Sequence, residues 1–212
     1  LIRKIELLER QKISATNFEP ECAQPGSHPT RSMFGENLHQ AIFPVVSGGR
    51  AIGVAFVASL TKAGLETRFL MTCKHVVDRG DFTIPSPSGF NLPIGSWLKR
   101  ESEESDYVTW TVPKSSWCSL GTKGIPLCPP KRTEAKIHIP YKGDDGIAVM
   151  TSGVSRVATL SNGKPILTHT ASTAHGFSGS PVIMPVGTKS FCVGIHTGHK
   201  DRKNVMSPVG FM

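Results

Sequence analysis

The chain is poor in acids: 16 Asp and Glu stand against 24 Lys and Arg, a formal charge of +8 at pH 7. That balance disfavours a cationic partner and favours nucleic acid, an anionic surface or a carboxylate-bearing substrate. The basic residues are scattered, with the densest patch at His199-Lys200-Asp201-Arg202-Lys203 and no basic run interleaved with aromatics. Long apolar runs are missing: nothing approaches the ~18 residues that a membrane-spanning helix needs. A secretory leader is not legible either, because Leu1–Lys12 mixes charged with apolar residues. The first residue is not Met, so the chain reads as a processed product or a piece of something longer. Cysteines are few and odd in number, at 22, 73, 118, 128 and 192, with no C-x-x-C. That count argues against a disulfide framework and a zinc ribbon, and for a reducing compartment. His196-x-x-His199 and Cys73-x-His75 lack a second matched pair, so no metal site and no cofactor are expected.

What the chain has in plenty is punctuation, with 21 Gly and 16 Pro. Leu1–Gln11 has the spacing of a short amphipathic helix, and residues 13–40 read as an extended arm. Beyond them lie short runs rich in β-branched and aromatic residues. Ala41–Val46, Ala51–Leu60 and Thr67–Thr72 form a meander punctuated by Gly48-Gly49 and Lys62-Ala63-Gly64. Further strand candidates are Asp81–Ile84, Gly95–Lys99, Tyr107–Val112, Ala135–His138, Gly146–Met150, Val154–Leu160, Ile166–Thr170, Pro181–Met184 and Phe191–His196. Many short strands at this spacing predict an all-β sandwich or barrel pair. Pro113–Thr133, with four Pro and two Cys, reads as the linker between two β halves.

One segment carries chemistry: Thr173-Ala174-His175-Gly176-Phe177-Ser178-Gly179-Ser180-Pro181. A serine set among glycines fits a nucleophile on a tight turn. Gly176 allows the N–H groups of Gly176 and Ser178 to converge on one spot, an oxyanion hole. A serine nucleophile needs a base, and His75 leaves the end of an apolar strand. The base needs an orienting carboxylate. Asp106 heads the alternating run Asp106–Val112; Asp78, Asp144 and Asp145 are the runners-up. The order His75, Asp106, Ser178 is that of chymotrypsin-type barrels and not of subtilisins or α/β-hydrolases.

On these residues the chain resembles the serine protease domain of sobemovirus-type polyproteins. The resemblance rests on Thr72-Cys73-Lys74-His75-Val76-Val77, Asp106-Tyr107-Val108, His169 through Pro181, and Val193-Gly194-Ile195-His196-Thr197-Gly198. Val112-Pro113, Trp117 and Leu120-Gly121 add to it, so that it spans about residues 45–205. It implies two six-stranded antiparallel β-barrels; beside the arm at 1–40, which the resemblance does not cover, the first barrel is expected at 41–116, a linker at 117–133 and the second barrel at 134–212. It also implies a Ser-His-Asp triad and polyprotein cleavage after Glu. Thr173, His196 and Asn204 match the positions that line the S1 pocket of that family, where a His and a Thr hydroxyl suit a Glu side chain. Cys73 stands where many relatives carry a small residue and is expected to pack as a small hydrophobe. The expected partners are a viral polyprotein substrate and an adjacent genome-linked protein domain, with weak RNA contact from the basic surface. The expected location is the host cytoplasm, tethered to membranes through an upstream segment. Two alternatives stand beside this one: an astrovirus- or arterivirus-like protease, and a non-catalytic RNA-binding barrel module.

Overall fold

The protein is described by a computed structural model. The residues it describes are 20–22, 36–103, 105–129, 134–143, 148–159, 165–200 and 203–208. The expected helix at Leu1–Gln11 and the runners-up Asp144 and Asp145 lie outside the described residues. In chain order the strands are β1 (Pro20–Cys22), β2 (Ile42–Ser47), β3 (Arg50–Lys62), β4 (Leu65–Thr72), β5 (Leu98–Glu101), β6 (Val108–Thr111) and β7 (Ile125–Pro126). They continue as β8 (Glu134–Lys142), β9 (Ala148–Thr159), β10 (Pro165–His169), β11 (Thr173–Ala174), β12 (Pro181–Val186), β13 (Lys189–Lys200) and β14 (Lys203–Pro208). Among the described residues no helix is long and apolar enough to cross a membrane.

The C-terminal half closes into a six-stranded barrel in the order β10-β14-β13-β12-β8-β9. The N-terminal half is a sheet in the order β2-β3-β4-β6-β5, with β7 attached to β3. Among the described residues no ladder joins the two edges of that sheet, and β7 runs parallel to β3 rather than antiparallel. The sequence expectation of two closed antiparallel barrels therefore holds for the second half, and for the first it reduces to a six-stranded sheet.

The hydrophobic pattern explains the centre of the sheet. β3 carries an unbroken apolar run, Val54–Ala58, and all five residues are buried. A strand flanked by β2 and β4 and covered on both faces needs such a run rather than alternation. Phe43, Leu70, Met71 and Trp110 surround it in one cluster. Ile183, Cys192 and Ile195 of the barrel join the same cluster, so one apolar core spans both halves.

Several sequence expectations are corrected. Gly146–Met150 and Val154–Leu160 fall largely within one strand, β9. A Cβ on Gly153 would lie 2.3 Å from the Ala171 nitrogen. The glycine that reads as a turn in fact lets β9 pass close to a neighbouring chain segment. Asp81–Ile84 makes only an isolated bridge, Val46 to Thr83. Ile94–Ser96 is a 3₁₀ turn, so that strand begins at Leu98. The arm contains a short helix, α1 (Glu36–Gln40). The Pro-rich stretch contains another short helix (Trp117–Leu120) and β7, with the Arg68 guanidinium 3.9 Å above the Trp117 ring.

Candidate active site

His75 and Asp106 meet because of strand register. β4 pairs antiparallel with β6, Thr72 opposite Val108. Continued two residues beyond its last pair, that register would set residue 74 level with residue 106. There β4 gives way to a short helix, α2 (Lys74–Val77), which turns His75 toward the strand head. The Asp106 carboxylate uses both oxygens: Oδ1 accepts the His75 main-chain N–H at 3.1 Å, and Oδ2 contacts the His75 ring Nδ1. Burial pushes the Asp106 carboxyl up. The hydrogen bonds from the His75 ring and main chain, with the charges of His75 and Lys74, outweigh it and hold the group below its ordinary range. Asp78 instead caps the end of α2, its N–H donating to the Lys74 carbonyl.

Ser178 sits on a turn in which Gly176 has φ +94° and Gly179 has φ +91°. These are left-handed conformations that favour glycine. The turn is bolted to both halves. Val54 N–H donates to the Ser178 carbonyl at 2.9 Å, and Gly179 N–H donates to the His196 carbonyl at 2.8 Å. A Cβ on Gly179 would lie 2.0 Å from the Val54 carbonyl oxygen and 2.5 Å from Thr72 Oγ1. Gly53 lies between the two functional segments: its Cβ would meet both Val76 and the Ser178 carbonyl. The serine turn is thereby set beside the end of β4 that delivers His75. The Ser178 hydroxyl makes no hydrogen bond among the described residues, to His75 or to any other group. Such bonds often tighten only when substrate is bound. The main-chain N–H groups of Gly176 and Ser178 likewise find no acceptor among the described residues.

Thr173, on β11, and His196 and Asn204, on barrel strands β13 and β14, are fully buried. The Thr173 hydroxyl donates to Asn204 Oδ1 at 3.1 Å, and Asn204 Nδ2 donates to the Ala171 carbonyl at 2.6 Å. His196 is tied to the serine turn through its own backbone, its N–H donating to the Ser180 carbonyl at 2.9 Å. Its ring Nδ1 lies 3.0 Å from His169 Nε2. His169 faces Asn204 across the β10–β14 ladder. Among the described residues, the buried side-chain atoms without a partner are His169 Nδ1, Ser180 Oγ and His196 Nε2. All three lie in this one region of the barrel. Buried polar atoms are normally satisfied, so this cluster is a candidate place for a polar ligand.

Some of these residues have roles that sequence reasoning did not assign. His169 lies inside the quoted motif, yet nothing in its spacing announces a pairing with residue 196. Tyr141 also escaped notice. Its ring stacks on Phe177 at 4.6 Å, and a Cβ on Gly176 would touch it. β1 pairs with β11, Cys22 with Thr173, so the arm adds a strand to the pocket segment. Cys73 is buried as a small hydrophobe would be, and its thiol also donates to the His196 carbonyl at 3.3 Å.

Cys73, His75 and Asp106 place their ligating atoms within 4.8 Å of one another. Burial first, then the Asp106 charge, pushes the Cys73 thiol well above its ordinary range. A thiol held protonated is a poor metal ligand. The group reads better as a base with its orienting carboxylate.

No family model matches the chain. It is 31 % identical over 204 residues to a polyprotein of Southern cowpea mosaic virus, covering 94 % of this chain and 32 % of that polyprotein. Its fold matches the serine protease domain of the Sesbania mosaic virus polyprotein with a TM-score of 0.60 at 23 % identity, over 84 % of this chain and 92 % of that one. The chain is of the sobemovirus protease type. A further structure concerns the coupled folding and binding of the intrinsically disordered Sesbania mosaic virus VPg protein through aromatic interactions. It matches with a TM-score of 0.62 at 22 % identity, over 85 % of this chain and 91 % of that chain. The chain spans 13–32 % of the length of the curated polyproteins it matches.

Proposed function

We propose that this sobemovirus-type chain is a serine endopeptidase that processes a viral polyprotein by cutting after Glu. One observation carries the reading: Asp106 grips His75 with both oxygens beside a serine turn whose two N–H groups are unclaimed. In the proposed cycle Ser178 Oγ attacks the scissile carbonyl and His75 takes its proton. Asp106 holds the imidazole in one orientation and stabilises the cation that forms. The N–H groups of Gly176 and Ser178 receive the developing oxyanion, a donor pair in which each member is worth about 3 kcal/mol of transition-state stabilisation. His75 then protonates the leaving amine, and water releases the acyl group by the same steps in reverse. The buried set of Thr173, His196 and Asn204 supports a Glu side chain before the cut, because imidazole, hydroxyl and amide offer donors without burying a Lys charge.

The proposed substrate is the polyprotein to which the domain belongs, with a genome-linked protein as an adjacent segment. The location that goes with it is the host cytoplasm, beside a membrane tether supplied by another segment. The test is cleavage of a pooled peptide library by this chain and by Ser178→Ala, read by mass spectrometry. Cuts after Glu that vanish in the variant support the whole reading. Cuts after other residues that vanish keep the serine mechanism and refute the Glu pocket. An intact, folded chain that cuts nothing, alone or fused to its neighbouring segments, refutes the enzyme.

A further inference from the structure

The second barrel buries two imidazoles against each other, and only one of them has been given a role so far. His169 Nε2 and His196 Nδ1 are 3.0 Å apart, with the rings edge to face at a centroid distance of 5.1 Å. The outer nitrogens, His169 Nδ1 and His196 Nε2, are both buried and unpartnered. Burial holds both rings neutral: it pushes His169 down to about 3 and His196 well below its ordinary value. The Ala171 carbonyl beside His169 and the Val205 carbonyl beside His196 act the other way and are outweighed. Two neutral imidazoles joined in this way share one proton in the bond between them, and two arrangements are possible.

In the first, His169 Nε2–H donates to His196 Nδ1. His196 must then carry its own proton on Nε2, and the pair offers an N–H outward at that atom. In the second, His196 Nδ1–H donates to His169, leaving His196 Nε2 as a bare lone pair. His169 Nδ1–H is then a buried donor beside the Ala171 carbonyl, which accepts from Asn204 and keeps a second lone pair. Only the first suits a carboxylate, which has lone pairs and no proton to give. The neighbouring donors are already committed in part. The Thr173 hydroxyl is donated to Asn204, and Asn204 Nδ2 is donated to the Ala171 carbonyl. A carboxylate entering the second arrangement would meet a lone pair in place of a donor, the costly outcome for a buried polar group.

We infer that His169 is a positioning residue of the specificity pocket: it holds His196 in the tautomer protonated on Nε2, and so sets the preference for a carboxylate over a carboxamide. The inference rests on the Glu-cleaving reading above and deepens it. A Gln side chain has both a donor and an acceptor, so either tautomer of His196 satisfies it. Glu needs one tautomer. The ratio of kcat/KM for matched Glu and Gln peptides therefore reports the role of His169 in a way that a packing role would not.

Two variants read it. His169→Phe keeps a ring and removes the donor; the Glu/Gln ratio should fall about tenfold, mainly through a higher KM for Glu peptides, with Gln peptides little changed. His169→Gln restores an N–H donor toward Nδ1 and should recover most of the ratio. A second measurement is independent of turnover: ¹⁵N chemical shifts of the His196 ring in the Ser178→Ala chain. The expected result is a protonated Nε2 with His169 present, and a mixture of tautomers in the His169→Phe background. A protonated Nδ1 in the chain with His169 overturns the inference, whether or not the variants fold. So does an unchanged Glu/Gln ratio in a folded His169→Phe protein. A chain that cleaves but shows no Glu preference refutes the pocket reading instead, and the ring shifts still decide the tautomer.

Discussion

The two halves of the molecule bury different things. Among the described residues the larger apolar cluster has twenty-four buried members, all but three from the N-terminal sheet and the segments attached to it. The barrel's own cluster has nine. Buried polar side chains run the other way: Thr151, Ser155, His169, Ser172, Thr173, Ser180, His196 and Asn204 lie in the barrel, against Thr72, Ser86, Thr109 and Thr122 in the sheet. The sheet is a rigid apolar base that presents His75 and Asp106 at its rim. The barrel gives up apolar packing to hold polar groups inside, as the proposed recognition of a charged side chain would demand. The serine turn belongs to the barrel by sequence and is pinned to both halves, through Val54 on one side and His196 on the other.

This division can be broken at several points. The largest effect is expected at the junction: Ser178→Ala should lower kcat by about 10⁶-fold with an unchanged unfolding midpoint, measured by peptide turnover and thermal melts. Next comes the rim of the sheet. Asp106→Asn should cost about 10⁴-fold in kcat, since the amide favours the wrong His75 tautomer, again with little loss of stability. A substitution in the sheet core should do the opposite: Phe56→Ala removes a fully buried ring and should destabilise the chain by about 3–5 kcal/mol in urea titrations. A further effect separates the halves by acidity. His169, pushed down to about 3, refuses a proton that the unfolded chain accepts near 6.5. Stability therefore rises with pH between those values. On acidification it should fall from about pH 6.5 downward, by ~1.4 kcal/mol per pH unit for each such histidine. Asp106 is also depressed, so its contribution is complete above the unfolded carboxylate value and is lost only as pH falls through its folded value. Hydrogen exchange between pH 6.5 and 4.5 should thus show barrel amides losing protection before those of β3 and β4. His169→Gln should flatten that slope.

The candidate catalytic groups were the most legible part of the chain. Ser178 is flanked by glycines, His75 follows an apolar strand, and Asp106 heads an alternating one. Each signal is local, because a nucleophile turn and a strand end are set by a few neighbouring residues. Less could be read of the strands. The Ser152-Gly153 pair looks like a break, yet β9 runs through it, since the missing Cβ is needed for contact with Ala171. The closed barrel was predicted, but nothing local distinguished it from the open-edged sheet before it. The strand partners of residues 20–22, 125–126 and 203–208 went unread for the same reason: pairing is chosen by what the rest of the fold leaves open.

By itself, then, the amino-acid sequence determined an all-β chain, the order His75, Asp106, Ser178, and the glycine-flanked serine turn. These follow from periodicity and turn chemistry, which act over a few residues. The tertiary structure alone decided which nitrogen of His196 is engaged, that His169 engages it, and that Cys73 and Gly179 both bond to the His196 carbonyl. The two side-chain contacts among these join residues 27 and 123 positions apart. They exist because a closed barrel packed on a sheet buries polar groups where only each other, or a bound ligand, can satisfy them.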